Sequence, residues 1–183
     1  MKCPVCKTDS LASITLANAL PAFQCSGCQG TWIAANSYMA WLRSKAGDLP
    51  EKASSQPFNP VWEVHDFKVC PDCKHMLRRF KIFPDIDFYL DRCNNCNGIW
   101  FDAHEWNALA ERNLHDNLHE FFTRPWQDHM HTAETRARME GIYLLKLGAQ
   151  DLEKIKEVRA WLDGHERKNM LIAFLLSDDP YKV

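Results

Sequence analysis

The sequence predicts an α+β fold, in which two small four-cysteine modules of antiparallel β-structure precede an α-helical C-terminal region. Three observations predict it. All eight cysteines of the 183-residue chain fall into Cys-x-x-Cys pairs. The pairs belong to an internal repeat that aligns Cys3 with Cys70 and Cys25 with Cys93. Apolar residues at helical spacing fill the chain after the second repeat.

The four cysteine pairs form two groups with the spacing of metal-binding knuckles, C-x2-C-x15–20-C-x2-C. Four thiolates suit tetrahedral Zn²⁺ and leave no open coordination position, with mononuclear iron as the alternative ion. Redox dithiols are disfavoured because no βαβ pattern surrounds the pairs, and disulfides are disfavoured in the expected cytoplasmic location. We therefore predict two zinc ions per chain. The predicted ligands are Cys3, Cys6, Cys25, Cys28, Cys70, Cys73, Cys93 and Cys96.

Strand patterns lie between and after the cysteine pairs. In the second module two runs flank Pro84-Asp85, a turn signal, and Ile86, Phe88 and Leu90 alternate with polar residues. This pattern predicts a β-hairpin with one apolar face, and "ASITLANALPAFQ" is a weaker version in the first module. A third strand, "GTWIA" or "GIWFD", completes each three-stranded antiparallel zinc ribbon. Because each ribbon is too small for its own core, the metal must supply about 10–16 kcal/mol of folding energy.

Both modules contain a CPxC knuckle and a longer second motif, "CSGCQGTWI" in the first and "CNNCNGIWFDAHEW" in the second. They resemble the bacterial zinc-ribbon family of the transcription factor IIB (TFIIB) type, in two tandem copies over roughly residues 1–42 and 68–110. Gln29 and Asn97 replace the first glycine of the family pattern. The first copy also lacks the acidic residues of the family pattern. The resemblance implies a metal-binding fold and no particular reaction.

Asp102 and Glu105 have the spacing of a capping box, which predicts that a helix begins there. A capping role is favoured over acid–base chemistry because the adjoining metal is already saturated. Trp32 and Trp100 are expected to pack over the ribbon sheet, with a base-stacking platform as the alternative. Six apolar residues predict one buried face over about five helical turns. They are Trp106, Leu109, Ala110, Leu114, Leu118 and Phe121.

A polar stripe follows the other face of that predicted helix. Its members are His104, Glu111, His115 and His119. Histidines four residues apart on a helix can chelate a transition metal. A solvated polar face is the favoured interpretation because the stripe contains no H-E-x-x-H motif.

Composition predicts four segments. They are a first zinc ribbon with a short helix at 1–43, a linker at 44–65, a second ribbon with its following helix at 66–123, and a helical C-terminal domain at 124–183. Thr123 should cap the first C-terminal helix, and Gly148 and Gly164 should end helices. The predicted buried face of this first C-terminal helix contains Trp126, Met130, Ala133, Ala137 and Leu144.

The run from Met170 to Leu176 is apolar nearly all round. A helix without a polar face is usually buried, so this run is predicted to form the centre of a small helical bundle. The alternative is an exposed apolar patch that serves homodimerisation or partner docking.

Charge and hydropathy restrict the function. The 22 lysines and arginines against 24 aspartates and glutamates give a net charge of −2, and the chain has no basic arm for strong nonspecific nucleic-acid binding. No apolar run reaches the roughly 20 residues of a membrane span. "MKCPVC" has no signal-peptide core, so a cytoplasmic location is expected.

We expect a non-enzymatic zinc-binding adaptor that binds protein partners, in a regulatory or transcription-linked assembly, because no nucleophile–base pair, phosphate loop or open metal site is visible. The alternative is a nucleic-acid-binding regulator that uses the second ribbon, provided that its two charge signs lie on different faces. The candidate phosphate contacts are Lys74, Arg78, Arg79, Lys81 and Arg92.

Overall fold

The structure is a computed structural model that describes residues 1–16, 19–45, 47, 52, 67–84, 86 and 88–182. The strands are β1 (Leu11–Leu16), β2 (Leu20–Cys25), β3 (Thr31–Ile33), β4 (Leu77–Lys81), β5 (Tyr89–Cys93) and β6 (Ile99–Phe101). The helices are α1 (Ala35–Ser44), α2 (Glu105–Glu111), α3 (Leu118–Phe121), α4 (Arg124–Leu147), α5 (Ala149–Asp163) and α6 (Lys168–Leu176). The predicted α+β class, with two three-stranded antiparallel ribbons before a helical region, is confirmed.

The two ribbons share one six-stranded sheet, in the order β1-β2-β3-β6-β5-β4. The third strands of the ribbons form the junction, since β3 pairs antiparallel with β6 and places Trp32 opposite Trp100. Strand alternation then puts both tryptophans on one face of the sheet and Ile33 and Ile99 on the other. The sheet therefore has an approximate two-fold relation about the tryptophan pair.

Each face of the sheet carries its own apolar cluster. The tryptophan face gathers Trp32 and Trp100 with all eight cysteines. The opposite face carries the larger core, to which helices α1, α2 and α3 contribute. Its largest fully buried side chains include Phe88, Phe101 and Phe121. The sheet thus separates a cysteine-rich layer from an ordinary hydrophobic core.

The hairpin of the second ribbon has the predicted apolar face. Phe88 and Leu90 are buried and Ile86 packs against the core, as the alternation predicts. Asp91 lies on the predicted polar face but is also buried, which the alternation does not predict. The predicted turn residue Asp85 and the predicted polar residue Asp87 lie outside the described residues.

The prediction of a single five-turn helix after the second ribbon is wrong. Helix α2 ends at Glu111, and Asn113, with a φ of 56°, turns the chain before α3 begins at Leu118. Leu114 and Phe121 are nevertheless buried, so the apolar spacing identified core residues correctly. Core contacts alone cannot distinguish one continuous helix from two short helices joined by a turn.

The predicted helix boundaries in the C-terminal region are confirmed. The backbone N–H of Trp126 donates to the Thr123 hydroxyl at 3.4 Å, which is N-cap geometry. Helix α4 ends immediately before Gly148, whose φ of 77° is left-handed, and α5 ends before Gly164.

The prediction that the last helix forms the buried centre of a small helical bundle is wrong. Met130 is buried, but Leu144, on the same predicted face of α4, is 48% exposed. None of the residues of α6 is buried, and Phe174 is 49% exposed. An apolar run indicates that burial is favourable, but it does not guarantee a partner surface within the same chain.

By internal contacts the chain divides into two compact units, Met1–Glu134 and Thr135–Val183. Both ribbons lie in the first unit. The domain boundaries inferred from composition stay a prediction, and most of the predicted linker at 44–65 lies outside the described residues. Among the helices of the described chain, none combines the length and hydropathy that crossing a membrane requires.

Candidate metal centre

The structure brings the cysteines together in two sets of four. In each set the four Sγ atoms lie within 4.8 Å of one another. In the first set, the Sγ atoms of Cys3 and Cys28 are 3.5 Å apart and those of Cys6 and Cys25 are 3.8 Å apart. All eight cysteines are free thiols rather than disulfides.

The second set has the same geometry. The Sγ atoms of Cys70 and Cys96 are 3.5 Å apart, and those of Cys73 and Cys93 are 3.4 Å apart. Four sulfurs about 2.3 Å from a central zinc ion stand about 3.8 Å from one another in a tetrahedron. The spacing and the soft donor set therefore fit Zn²⁺, and the chain provides two four-cysteine zinc sites.

Four tight turns present the thiolates. In each turn the residue after the second cysteine is left-handed, with φ between 59° and 65°. These residues are Lys7, Gln29, Lys74 and Asn97. Each donates its backbone N–H to the carbonyl of the first cysteine in its pair, at 2.8–3.2 Å. Gln29 and Asn97 thus adopt a left-handed conformation at positions where the family pattern has glycine. This conformation has a small strain cost for a residue with a side chain.

Hydrogen bonds favour the ionised form of one thiol at each site, whereas burial raises the pKa of the neighbouring thiols Cys3, Cys28, Cys70 and Cys96. Burial raises the pKa of Cys25, but hydrogen bonds from the Ser10 hydroxyl and from backbone amides outweigh it and lower that pKa to about 6. The backbone amide of His75 is the main cause that lowers the pKa of Cys73 to about 5. One thiol at each site is thus the most readily ionised, and thiolates are the form that binds a metal.

Each ribbon inserts its tryptophan against the second cysteine turn of the other ribbon. A methyl group on Gly98 would lie 2.2 Å from the Trp32 ring, and one on Gly30 would lie 2.2 Å from the Trp100 ring. Both tryptophans have no exposed surface, so a base-stacking platform is excluded. Glycine is required at these two positions because the indole occupies the space of a Cβ.

A buried charge cluster, which the sequence pattern does not predict, lies beside the second metal site. Lys68 Nζ lies 2.5 Å from Asp91 Oδ2 and 2.6 Å from Asp102 Oδ2. All three residues are less than 8% exposed. Burial lowers the pKa of Lys68, but the two carboxylates outweigh it and raise that pKa. Lys68 therefore stays charged and neutralises two carboxylates, Asp91 on β5 and Asp102 directly after β6.

The capping prediction is half right. Glu105 Oε2 accepts the backbone N–H of Asp102 at 2.7 Å, which is the return bond of a capping box. The predicted N-cap role of Asp102 is wrong, because its carboxylate accepts Lys68 and the indole N–H of Trp100 instead. The N-cap is His104, with a φ of 70° and no side-chain cap.

The predicted histidine stripe does not form. His104 and His119 are exposed, whereas His115 is 4% exposed and packs against the rings of Trp41 and Trp106 at 5.6 and 5.5 Å. Burial, and then the charge of Lys45, lower the pKa of His115. The favoured solvated face is therefore wrong for His115, because the turn at residues 112–117 rotates it into the core. Among the described residues, the cysteine sets alone have metal-binding geometry.

The five candidate phosphate contacts do not share one face. Arg79 and Lys81 alternate with Arg78 along β4, and Arg78 lies opposite Arg92 in the register. The strand pleat therefore places Arg78 and Arg92 on one side of the sheet and Arg79 and Lys81 on the other. Arg79 also lies opposite the buried Asp91. Binding of nucleic acid by this ribbon stays a prediction.

Comparison with known protein families agrees with this geometry. The model of the family described as transcription factor zinc-finger, a TFIIB-type zinc ribbon, matches residues 2–44 and 69–112. Each matched segment contains one three-stranded half of the sheet. The chain thus carries two tandem copies, one for each four-cysteine site. No curated protein and no solved structure matches the chain significantly. The matches end at residue 112, before helices α3 to α6.

Proposed function

We propose that the protein is a non-enzymatic zinc-binding adaptor, which uses its two zinc ribbons as a metal-stabilised scaffold and its C-terminal helices to hold a second protein molecule. Four-thiolate zinc sites are closed, so they stabilise a fold rather than activate a bound water. The observation that carries the association with a second molecule is the apolar surface of helices α4 to α6.

The C-terminal apolar surface consists of thirteen large side chains, each 37% to 89% exposed. They are Met139, Ile142, Tyr143, Leu144, Leu145, Leu147, Ile155, Val158, Trp161, Met170, Phe174, Leu175 and Leu176. At roughly 150–250 Å² per aromatic side chain and less per aliphatic one, about half of it exposed, the area summed over the three helices is on the order of 1,000 Å². Because Ile142 to Leu145 are consecutive residues that point around α4, this area covers more than one helix face. A standard protein interface buries about 800 Å² per partner, which is a comparable area.

Charge favours a second copy of the chain as the molecule that covers this surface. Residues 135–183 contain nine lysines and arginines against eight aspartates and glutamates. A nearly neutral surface neither attracts a polyanion nor repels its own copy. A groove of about 400 Å³ between α4 and α5 has apolar walls from Tyr143 and Ile155 and charges of both signs from Arg136 and Glu140. Such a surface can pair with itself about a two-fold axis.

The burial within the C-terminal unit supports the same conclusion. A unit of about 50 residues buries a small fraction of its surface and is only marginally stable by itself. Among the described residues of the unit Thr135–Val183, Leu152 is the one that is buried. The metal sites lie in the other unit, so association is the available source of burial for these helices.

Sedimentation equilibrium of the zinc-loaded full chain tests the proposal. We expect a dimer at micromolar concentration, because an interface of this area and apolar character is in the range of stable complexes. The variant Leu145→Lys/Ile155→Lys should be monomeric and should lose helical circular dichroism. Phe67→Lys is the matched control, since Phe67 is 81% exposed but lies in the ribbon unit. A wild-type chain that stays monomeric at several hundred micromolar would contradict the dimer.

A further inference from the structure

The two metal sites lie in a single buried cluster. Cys3, Cys25, Cys70 and Cys93 are almost fully buried, and they pack in one apolar group with Trp32 and Trp100. Each metal site therefore has neighbours from both ribbons. This arrangement has consequences for how the ions bind, independently of any partner protein.

The tryptophans connect the sites in a crossed pattern. Trp32 follows the last ligand of the first site, but its ring lies against Gly98, two residues after Cys96 of the second site. Trp100 follows the second site, and its ring lies against Gly30 beside the first site. The turn that holds each metal is thus packed by a side chain from the other ribbon.

A polar contact strengthens one of the two connections. The indole N–H of Trp32 donates to Asp72 Oδ2 at 3.1 Å, and Asp72 lies between the ligands Cys70 and Cys73. The aligned residue in the first site is Val5, which offers no side-chain acceptor. Trp32 therefore holds both cysteine turns of the second site.

We propose that the two zinc sites load cooperatively, with Trp32 as a positioning residue for the second site and Trp100 as one for the first. An ion in one site orders its own cysteine turns and the strand that follows them. Because β3 and β6 pair directly, ordering one of these strands also orders the other, and both tryptophans are then held in place against the metal sites. The coupling is reciprocal, as a binding free energy between two sites must be, and it should change affinity by about 5–150-fold.

Native mass spectrometry of the wild-type chain at half-loading with zinc measures this coupling directly. Independent equal sites would leave about half of the molecules with one ion, and unequal independent sites would leave more. We expect metal-free and two-ion molecules to dominate, with the one-ion species well below that share. A one-ion species at or above half of the population would overturn the proposal.

Two tryptophan variants test the crossed assignment. Trp32→Phe and Trp100→Phe keep an aromatic core residue but remove the part of the ring that reaches the opposite glycine. Cadmium-113 NMR reports each thiolate site separately, and Cys25→Ser and Cys93→Ser assign the two signals. Competition with a chelator then gives the affinity of each site.

We expect Trp32→Phe to weaken the second site at least several-fold more than the first, and Trp100→Phe to do the reverse. A purely structural role in the shared core would weaken both sites equally, and that result would overturn the positioning roles. Tyr181→Phe is the control, because Tyr181 is 83% exposed, lies in the C-terminal unit and is not part of the C-terminal apolar surface. It should leave both affinities unchanged.

Discussion

The two ribbons have the same metal ligands and the same strand order, but among the described residues only the second contains a buried charge cluster. It consists of Lys68, Asp91 and Asp102, and the neighbouring Glu105 accepts the backbone N–H of Asp102. The aligned positions of the first ribbon hold Met1, Phe23, Ala34 and Ser37. The first ribbon nevertheless forms the same hairpin and third strand. Four thiolates and a hairpin are thus enough for the ribbon, and the acidic residues of the second copy are an addition.

The comparison also shows what those acidic residues do. In the second ribbon they surround one lysine and one indole N–H instead of the metal. Replacing a buried ion pair by apolar residues of similar volume is often neutral, whereas removing one partner is costly. The cluster therefore need not make the second ribbon more stable than the first. It makes the second ribbon more sensitive to single substitutions.

Removal of a thiolate should have the largest effect, and the effect should be similar in both ribbons. Cys25→Ser and Cys93→Ser each remove one ligand, so each chain should lose one ion and much of the roughly 10–16 kcal/mol that a structural zinc site supplies. Metal analysis and thermal unfolding measure both losses. A variant that kept two ions and its unfolding temperature would refute the assignment of that ligand.

Removal of the buried lysine should affect the second ribbon alone. Lys68→Met copies the residue aligned in the first ribbon and leaves Asp91 and Asp102 buried without their cation. We expect a loss of about 3–5 kcal/mol in the free energy of unfolding, measured by denaturant titration of the zinc-loaded chain.

The matched control for Lys68→Met converts the whole cluster to the residues of the first ribbon. The variant Lys68→Met/Asp91→Phe/Asp102→Ala/Glu105→Ser should regain most of the lost stability, because it buries no unpaired charge. A remaining deficit of about 1 kcal/mol is expected, since the Trp100 indole N–H loses its acceptor. If the fourfold variant were less stable than Lys68→Met, the cluster would be a net source of stability.

The sequence was sufficient to predict the metal sites because thiolate ligands are identified by residue type and spacing. It was also sufficient for the hairpins, whose apolar alternation is local. The pairing of β3 with β6 could not be predicted, because three-residue strands leave too short a pattern to specify a partner. The link from Lys68 to Asp102 depends on that tertiary fold, so the sequence predicts the return bond of Glu105 correctly but assigns Asp102 the wrong role, as an N-cap.

The errors in the helical regions have two different causes. Leu109, Leu114 and Phe121 are core residues at helical spacing, but Asn113 interrupts the backbone between them. Spacing reports which residues are buried and not whether the chain between them is helical. The exposure of α6 has another cause, because the burial of an apolar helix can depend on a second molecule that one sequence does not name.

Substitution of the glycines at the junction tests the symmetry of the two ribbons. Gly30→Ala and Gly98→Ala each place a methyl group inside the opposite indole ring, so each should cost about 1–3 kcal/mol by overpacking. Gly141→Ala is the control, since its Cβ would meet nothing within 4 Å and alanine favours a helix by up to about 1 kcal/mol. Equal losses at the two junction glycines, measured by denaturant unfolding, would confirm the two-fold relation. A loss at only one would show that one tryptophan can move aside.

Neutralisation of Glu105 should have the smallest effect and should depend on pH. Burial, and then the charge of Asp102, raise the pKa of Glu105 well above its ordinary value of 4.5. A carboxyl group with a raised folded-state pKa contributes stability that is present below its unfolded pKa and is lost as the pH rises through the folded pKa. Glu105→Gln keeps an acceptor for the Asp102 amide and removes this loss.

The wild type begins to lose this stability above the unfolded pKa of about 4.5, so Glu105→Gln should already equal or exceed the wild type at pH 6 and should gain further on it as the pH rises through the folded pKa. Measurements below about pH 5 are uninformative because protonation of the thiolates releases the metal. The first ribbon offers the control, since Ser37 occupies the aligned position and Ser37→Ala should change stability equally at pH 6 and pH 9. A parallel pH dependence of wild type and Glu105→Gln would mean that Glu105 titrates alike in the folded and unfolded chains, and the buried cluster would then be open to water.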